Sequence, residues 1–384
     1  MGPIIIIDKS ALQGLSRDEL MFLDKHYFLN IPPVLVAEIL GDLTQRRREG
    51  KPLPEDVVAL LSRKLGGLDR IVSLPYRLIC LRNLLGEPLP RHRQVVIGPV
   101  RRVVTKDGVA GHWVDELPEE GALRHWGEGR FSEVERLLSA GWRVAATSVG
   151  HSLYVERLSR SFVILPAAST LDEAVSSVDA VMERELLQVP LLSLLLEDLG
   201  CSHEEVEAVQ YRWAQLRPQF IRQFSPYAEF CLRVLLLFVV ASRNDLIGPR
   251  ATNRVDLEYL FYLPFCMVFS SNDVFHRRLA PLLLEADQDF VLGEELKNDL
   301  GLIADQWAAL TNEEKLEREY QYGCYPPEVE RSPTACLWRK HMRAWQPGSG
   351  NIAVKLTPEQ HARLLEKLRS YKNAVNREDS PDEQ

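Results

Sequence analysis

The chain has 384 residues, 46% of them apolar and 26% charged, with a formal net charge of −8. That balance is of an ordinary folded protein long enough for a large core and two or more domains, and it excludes a collagen-like or fully disordered chain. It also argues against polyanion binding by the whole surface, though a local basic groove stays open. Six cysteines, Cys80, Cys201, Cys231, Cys266, Cys324 and Cys336, form no C-x-x-C pair and read as buried thiols of a reducing compartment. The N-terminus lacks a basic region followed by a long apolar segment, and the longest apolar run, Val234 to Ala241, is too short to span a bilayer. A cytoplasmic location without membrane contact is the expectation.

Ile4 to Ile7 is a β-branched run that stops at Asp8-Lys9-Ser10, the pattern of a buried strand ending in an acid. Ser16 with Glu19 forms a capping box, which predicts a helix over about 17–28. A second helix opens at Pro32-Pro33 and is apolar except for Glu38 and Asp42, which lie four apart on one face. An acid in an apolar helix needs a partner or a metal. The charged, Gly- and Pro-containing stretch 44–52 then predicts a domain junction.

From 43 to 106 there are fourteen basic residues against five acidic ones. Arg46, Arg47, Arg48, Arg91, Arg93, Arg101 and Arg102 are the candidates for a phosphate-tracking surface; the plainer reading is a solvated basic face. Strands are expected over 94–97 and 102–105, with a hairpin turn at Lys106-Asp107-Gly108. Residues 131–219 are mostly helical in pattern. A long apolar helix from about 228 to 245 returns the chain to the core, and Arg233 inside it predicts a carboxylate partner first and a phosphate to meet as the alternative.

Asn253 to Leu279 reads as a helix opened by Asp256, a strand over Phe265 to Phe269, and a polar end at Ser270-Ser271-Asn272-Asp273. Another helix starts near Phe275, and Phe290 to Leu292 reads as an edge strand. Beyond 304 the sequence reads as less compact, closing with a helix over 358–374 and a disordered tail from 377. Two buried strands thus end in aspartates. In an open α/β sheet the carboxyl ends of strands are where chemistry is placed.

These pieces resemble the PIN-domain nucleases. Asp8-Lys9-Ser10 is similar to that family's opening Asp-Thr-Ser, Pro33 to Ile39 to its second helix with a glutamate, and Asp256 with Ser271-Asn272-Asp273 to its third acid and Thr-x-Asp. Lys9 departs from the pattern, and more than two hundred residues separate Glu38 from Asp256. The resemblance implies an α/β, PIN-like (Rossmann-like) three-layer domain with a mainly parallel central sheet, interrupted by a large mixed, mostly helical insertion. Its parts would be 1–43 and 225–303, with the insertion at 44–224 and a C-terminal extension at 304–384. It further implies a nuclease, an endoribonuclease first, in which Asp8, Glu38, Asp256 and Asp273 hold Mg²⁺ or Mn²⁺ and hydrolyse a phosphodiester. Asp8 and Asp273 would be the principal ligands; Ser10, Asp42, Ser271, Asn272 and His276 would support them. RNA is the expected partner ahead of DNA, with room for a homo-oligomer or a regulatory protein, as in a toxin or phage-defence nuclease. A PIN-like module that binds nucleic acid or protein without cleaving, or a DNA nuclease in a defence system, are the alternatives. Crowded carboxylates would also give at least one a raised pKa.

Overall fold

A computed structural model describes residues 2–346 apart from 48, 67, 69, 90–92, 99, 105–109, 146–155, 157–166, 249, 251 and 328–330, together with 359, 362, 363 and 366, and only the backbone of 101, 112 and 113. The expected helix over 358–374, the tail and the hairpin turn at 106–108 fall largely or wholly outside the described residues.

The chain opens with β1 (Ile4–Ile7), α1 (Lys9–Gly14), α2 (Arg17–His26), β2 (Phe28–Ile31), α3 (Pro33–Gly41), α4 (Pro54–Gly66), β3 (Arg70–Val72) and α5 (Tyr76–Leu84). A hairpin of β4 (Val100–Val104) and β5 (Ala110–Val114) follows, then α6 (Pro118–Gly127), α7 (Glu133–Ala145), α8 (Leu171–Met182), α9 (Gln188–Leu199), α10 (His203–Leu216), α11 (Ile221–Phe224) and α12 (Pro226–Arg243). The last part is α13 (Asn253–Leu260), β6 (Val268–Ser271), α14 (Val274–Leu279), β7 (Asp289–Leu292), α15 (Gly293–Ala308), α16 (Asn312–Tyr322) and α17 (Pro333–His341).

The protein is α/β. Five strands form one parallel sheet in the order β3-β2-β1-β6-β7. Successive strand residues point to opposite faces. Ile5, Ile6 and Ile7 in β1 and all four residues of β6 are fully buried, so both faces of the sheet are covered. The capping box on α2 forms as the sequence predicts. α12 is apolar nearly all round because it is buried nearly all round, against α5 and α8. Its one interior cation, Arg233, makes a paired contact with Asp179 at 2.8 and 3.0 Å. No helix among the described residues is long and apolar enough to cross a membrane.

Several expectations are corrected. β2 takes residues 28–31, where the sequence suggested the end of one helix and the start of the next; Asn30 interrupts its apolar run. β3, only three residues long, lies inside the stretch read as an insertion yet pairs with β2, so the sheet extends past residue 43. Gln94 to Ile97 is not a strand; Val96 only accepts one hydrogen bond, from the Leu74 amide at 2.9 Å. The region after 304 is tied to the core: Asp299 accepts from Ser332 and Thr334, and the Trp338 indole donates to the His26 carbonyl. Among the cysteines Cys80, Cys231 and Cys266 are buried, but Cys336 is exposed.

Asn30 ties β2 to the turn ahead of β6 and to the residue after β3. Fully buried, it donates to the Phe265 carbonyl at 3.0 Å and accepts from Ser73 Oγ at 2.7 Å. Asn30→Leu leaves both partners buried and unsatisfied, and should lower stability by about 2–4 kcal/mol. Urea unfolding of the two proteins checks this, a change below about 0.5 kcal/mol being the contrary result.

Candidate active site

The chain runs from β1 outward to β2 and β3, then re-enters the sheet on the other side of β1 at β6. β1 and β6 are therefore adjacent strands whose connections leave in opposite directions, and the crevice at their carboxyl ends is the place where such sheets bind ligands. Asp8 follows β1 and Asp273 follows β6. The two strand ends are in register, with Ile7 opposite Ser270.

Asp8 is buried and caps α1, accepting the Ala11 amide at 2.8 Å. Ser10 Oγ lies 2.7 and 2.8 Å from its two carboxylate oxygens. Ser271 Oγ donates to its Oδ2 at 2.6 Å, and His276 Nδ1 lies 3.4 Å from the same atom. Asp273 caps α14 through the Phe275 amide at 2.7 Å, and its other oxygen takes Arg250 at 3.0 Å. Its backbone amide donates to Ser271 Oγ at 2.9 Å. Asn272 is exposed; its amide donates to Ser10 and its side chain accepts from the Glu294 amide. Thus Ser10, Ser271 and Asn272 stitch the β1 end to the β6 end.

His276 is fully buried beneath this edge. Its Nε2 is 2.8 Å from the Asp256 carbonyl, an acceptor, so Nε2 carries a proton. Ser271 has one proton and gives it to Asp8, and it already accepts the Asp273 amide. The remaining contact, Nδ1 at 2.9 Å from Ser271 Oγ, is then satisfied by a proton on Nδ1 as well. An imidazolium satisfies both contacts. Burial works against its charge, but the hydrogen bond and charge of Asp8, with Asp256, raise its pKa to about 9. Burial likewise pushes Asp8 upward; His276 and Ser271 overcome this and hold it below its usual value. Both ring nitrogens are engaged inside the protein, so His276 cannot serve a leaving group.

Glu38, half-buried on α3, accepts the Tyr259 hydroxyl. Burial raises its pKa against the pull of Lys9 and Tyr259. Asp256 is buried on α13, and its Oδ2 has no hydrogen-bond partner among the described residues. Burial lifts its pKa to about 7; His276 opposes this, and the charges of Asp273, Glu38 and Asp8 add to it. The four acids are thus close enough to act on one another. Asp42 is buried too, but Lys9 holds it at 2.7 Å while also donating to the Glu38 carbonyl at 3.1 Å. The departure at position 9 is therefore a clamp between the β1 end and α3.

Of the basic candidates, Arg46, Arg47 and Arg102 are exposed. Arg93 is instead bound to Glu285 and Asp287, each at 2.6 Å, so that contact fixes a loop. Arg48 and Arg91 lie outside the described residues, as does the Arg101 side chain. Two contributors escaped sequence reasoning, Tyr259 and Arg250; Tyr259 sits three residues after Asp256, one helical turn on, which was the available signal.

The donors are hard carboxylate oxygens, suited to Mg²⁺ or Mn²⁺. The orphaned Asp256 oxygen is an open donor of that kind. Among the described residues no group of three such side chains is arranged to hold one. Comparison with family models, curated proteins and solved structures finds no match to this chain.

The raised groups set a pH dependence. Between about pH 4 and 7 the folded chain keeps the Asp256 proton that the unfolded chain has lost, so stability falls as pH rises. His276 extends the fall: its contribution is complete below 6.5 and lost as pH rises through about 9. Asp256→Asn should remove the first decline and raise stability at pH 8 by up to about 4 kcal/mol. Urea unfolding at pH 5, 7 and 8 checks it; equal slopes in both proteins would contradict the assignment.

Proposed function

We propose that this chain is a metal-dependent nuclease with a PIN-like domain, acting on RNA first, with Mg²⁺ or Mn²⁺ as cofactor. The observation that supports it most is Asp256: a buried carboxylate with one oxygen unpartnered, facing the charges of Glu38, Asp273 and Asp8 at the switch point of a parallel sheet. An arrangement that destabilises the protein unless a cation arrives is typical of a functional site.

In this reading Asp256, Glu38 and Asp273 would hold the cation, and Arg250 would leave Asp273 to meet the substrate phosphate. Arg250 is 59% exposed on its side chain, so it can swing without disturbing the core. When bound, the ion supplies a nucleophilic water and stabilises the leaving oxygen. Glu38, fixed through Tyr259, would orient the attacking water. Asp8 holds His276 and through Ser271 sets the position of Asp273. Arg46 and Arg47 contribute substrate affinity from the loop that follows α3.

A non-cleaving nucleic-acid-binding module is the second reading, favoured by one observation: every strong acceptor position of Asp8 is taken by a protein donor. Labelled RNA and single- and double-stranded DNA, incubated with Mn²⁺ or EDTA, separate the two. Mn²⁺-dependent RNA cleavage, reduced about 10²-fold or more by Asp256→Asn, is expected. Binding without cleavage by the wild type would support the second reading, and cleavage of DNA alone would reassign the substrate. Arg46→Ala with Arg47→Ala should weaken binding across sequences and flatten its salt dependence, whereas Arg93→Ala should affect stability rather than binding. Filter binding over a salt series checks this, unchanged affinity at low salt being the contrary result.

A further inference from the structure

A cavity of about 770 Å³ lies away from the acids, between α2, α15, α16 and α17. His26 on its wall ends α2 just before β2 begins, so the cavity is at the amino edge of the sheet. Asp8 and Asp273 follow the opposite, carboxyl ends of β1 and β6. The size is that of a small-molecule site.

Three features of the wall specify what it would take. The first is aromatic surface. Phe22, Trp307, Tyr322, Tyr325, Trp338 and Trp345 line the cavity. Trp307, Tyr325 and Trp345 are only half-buried, which leaves part of each ring open for stacking. The second is a bare acceptor. His26 is 1% exposed, and its Nδ1 lies 2.9 Å from the Cys324 carbonyl, so Nδ1 carries a proton and donates it there. Burial pushes the ring's pKa down to about 4, so at neutral pH Nε2 has a lone pair and no proton. Nε2 has no hydrogen-bond partner among the described residues, and an unsatisfied buried acceptor is costly. The third is unpaired positive charge. Among the described residues no ion pair holds Arg339 or Arg343, whereas Lys340 and His341 between them are both taken by Asp289. Both arginines are exposed at the cavity wall.

An aromatic cage could also suit a quaternary ammonium group. Here Lys25 already sits 4.0 Å over the Trp307 ring, and the wall is basic, with Lys25, Arg318, Arg339 and Arg343 against Glu314 and Glu317. A cation is therefore disfavoured. A purely apolar ligand would leave His26 and the arginines unmatched. A planar ring with an N–H donor and an anionic group answers all three features.

We propose that this cavity binds a nucleotide, with the base stacked on the aromatic wall, a base N–H toward His26 Nε2, and the phosphate on Arg339 and Arg343. The nucleotide is either free or part of a single strand, since the two present the same chemistry.

The test is isothermal titration calorimetry of the full chain with the four nucleoside 5′-monophosphates, the matching nucleosides, inorganic phosphate and a short single-stranded RNA. EDTA is present throughout, so the acid cluster holds no metal and neither result bears on the metal-dependent reading. At least one monophosphate should bind at one per chain, with its nucleoside and inorganic phosphate each weaker by about tenfold or more. Trp345→Ala should weaken the nucleotide at least about fivefold. Arg339→Ala with Arg343→Ala should weaken it about tenfold and leave the nucleoside unchanged. These arginines are exposed, so that variant decides if Trp345→Ala fails to fold. Binding of the RNA alone, weakened by the same substitutions, would support the site and assign its ligand to a strand. No binding of any nucleotide or RNA by the wild type, inorganic phosphate as tight as the monophosphate, or affinity unchanged in the arginine variant would overturn the proposal.

Discussion

The contact that the rest of the site depends on is the one between Asp8, Ser271 and His276. It joins the carboxyl end of β1 to that of β6, the two strands at which the chain reverses its direction across the sheet. An ionised aspartate buried there alone would be strongly unfavourable. An imidazolium buried alone would be equally so. Each makes the other tolerable, and the Ser271 hydroxyl, with one donor and two acceptor contacts, fixes their relative position. The pair is of the kind whose rupture costs much more than its formation gains, since removing either partner leaves an uncompensated charge.

Around this pair the acids divide into two groups. Asp8 and Asp42 are satisfied, the first by His276 and the second by Lys9. Asp256 and Glu38 lack such a partner charge in contact among the described residues: burial raises both, Glu38 is held by the Tyr259 hydroxyl, and Asp256 Oδ2 has no hydrogen-bond partner there. The fold therefore separates acids held by a partner charge from acids whose ionisation burial opposes. Lys9 matters in this division. By reaching both Asp42 and the Glu38 carbonyl it anchors α3 to the β1 end, which places Glu38 over the crevice.

Much of this was legible from the sequence because the strongest signals are local. Four isoleucines followed by an acid make β1 and Asp8 evident, and the capping box at Ser16 sets the start of α2. Asp256 and Asp273 follow from a helix, a buried strand and a polar end in succession. What was hidden is what tertiary contact decides. Asn30 sits in a strand of four residues because it bonds across to Phe265 and Ser73, so its polarity hides β2. β3 is too short for any periodicity. The charged stretch 44–52 marks a surface loop, and sequence composition alone does not tell that from a domain boundary. Likewise nothing in the spacing of His276 tells that it is charged; that follows only from the Asp256 carbonyl and Ser271 on either side of its ring.

The account turns on His276 being a buried imidazolium. Nitrogen-15 NMR of the imidazole ring, in protein labelled at histidine and assigned with His276→Gln, reads this directly. Both ring nitrogens should carry protons at pH 7 and keep them until the pH approaches about 9. A neutral ring at pH 7, with a bare Nδ1 accepting the Ser271 hydroxyl, would contradict it.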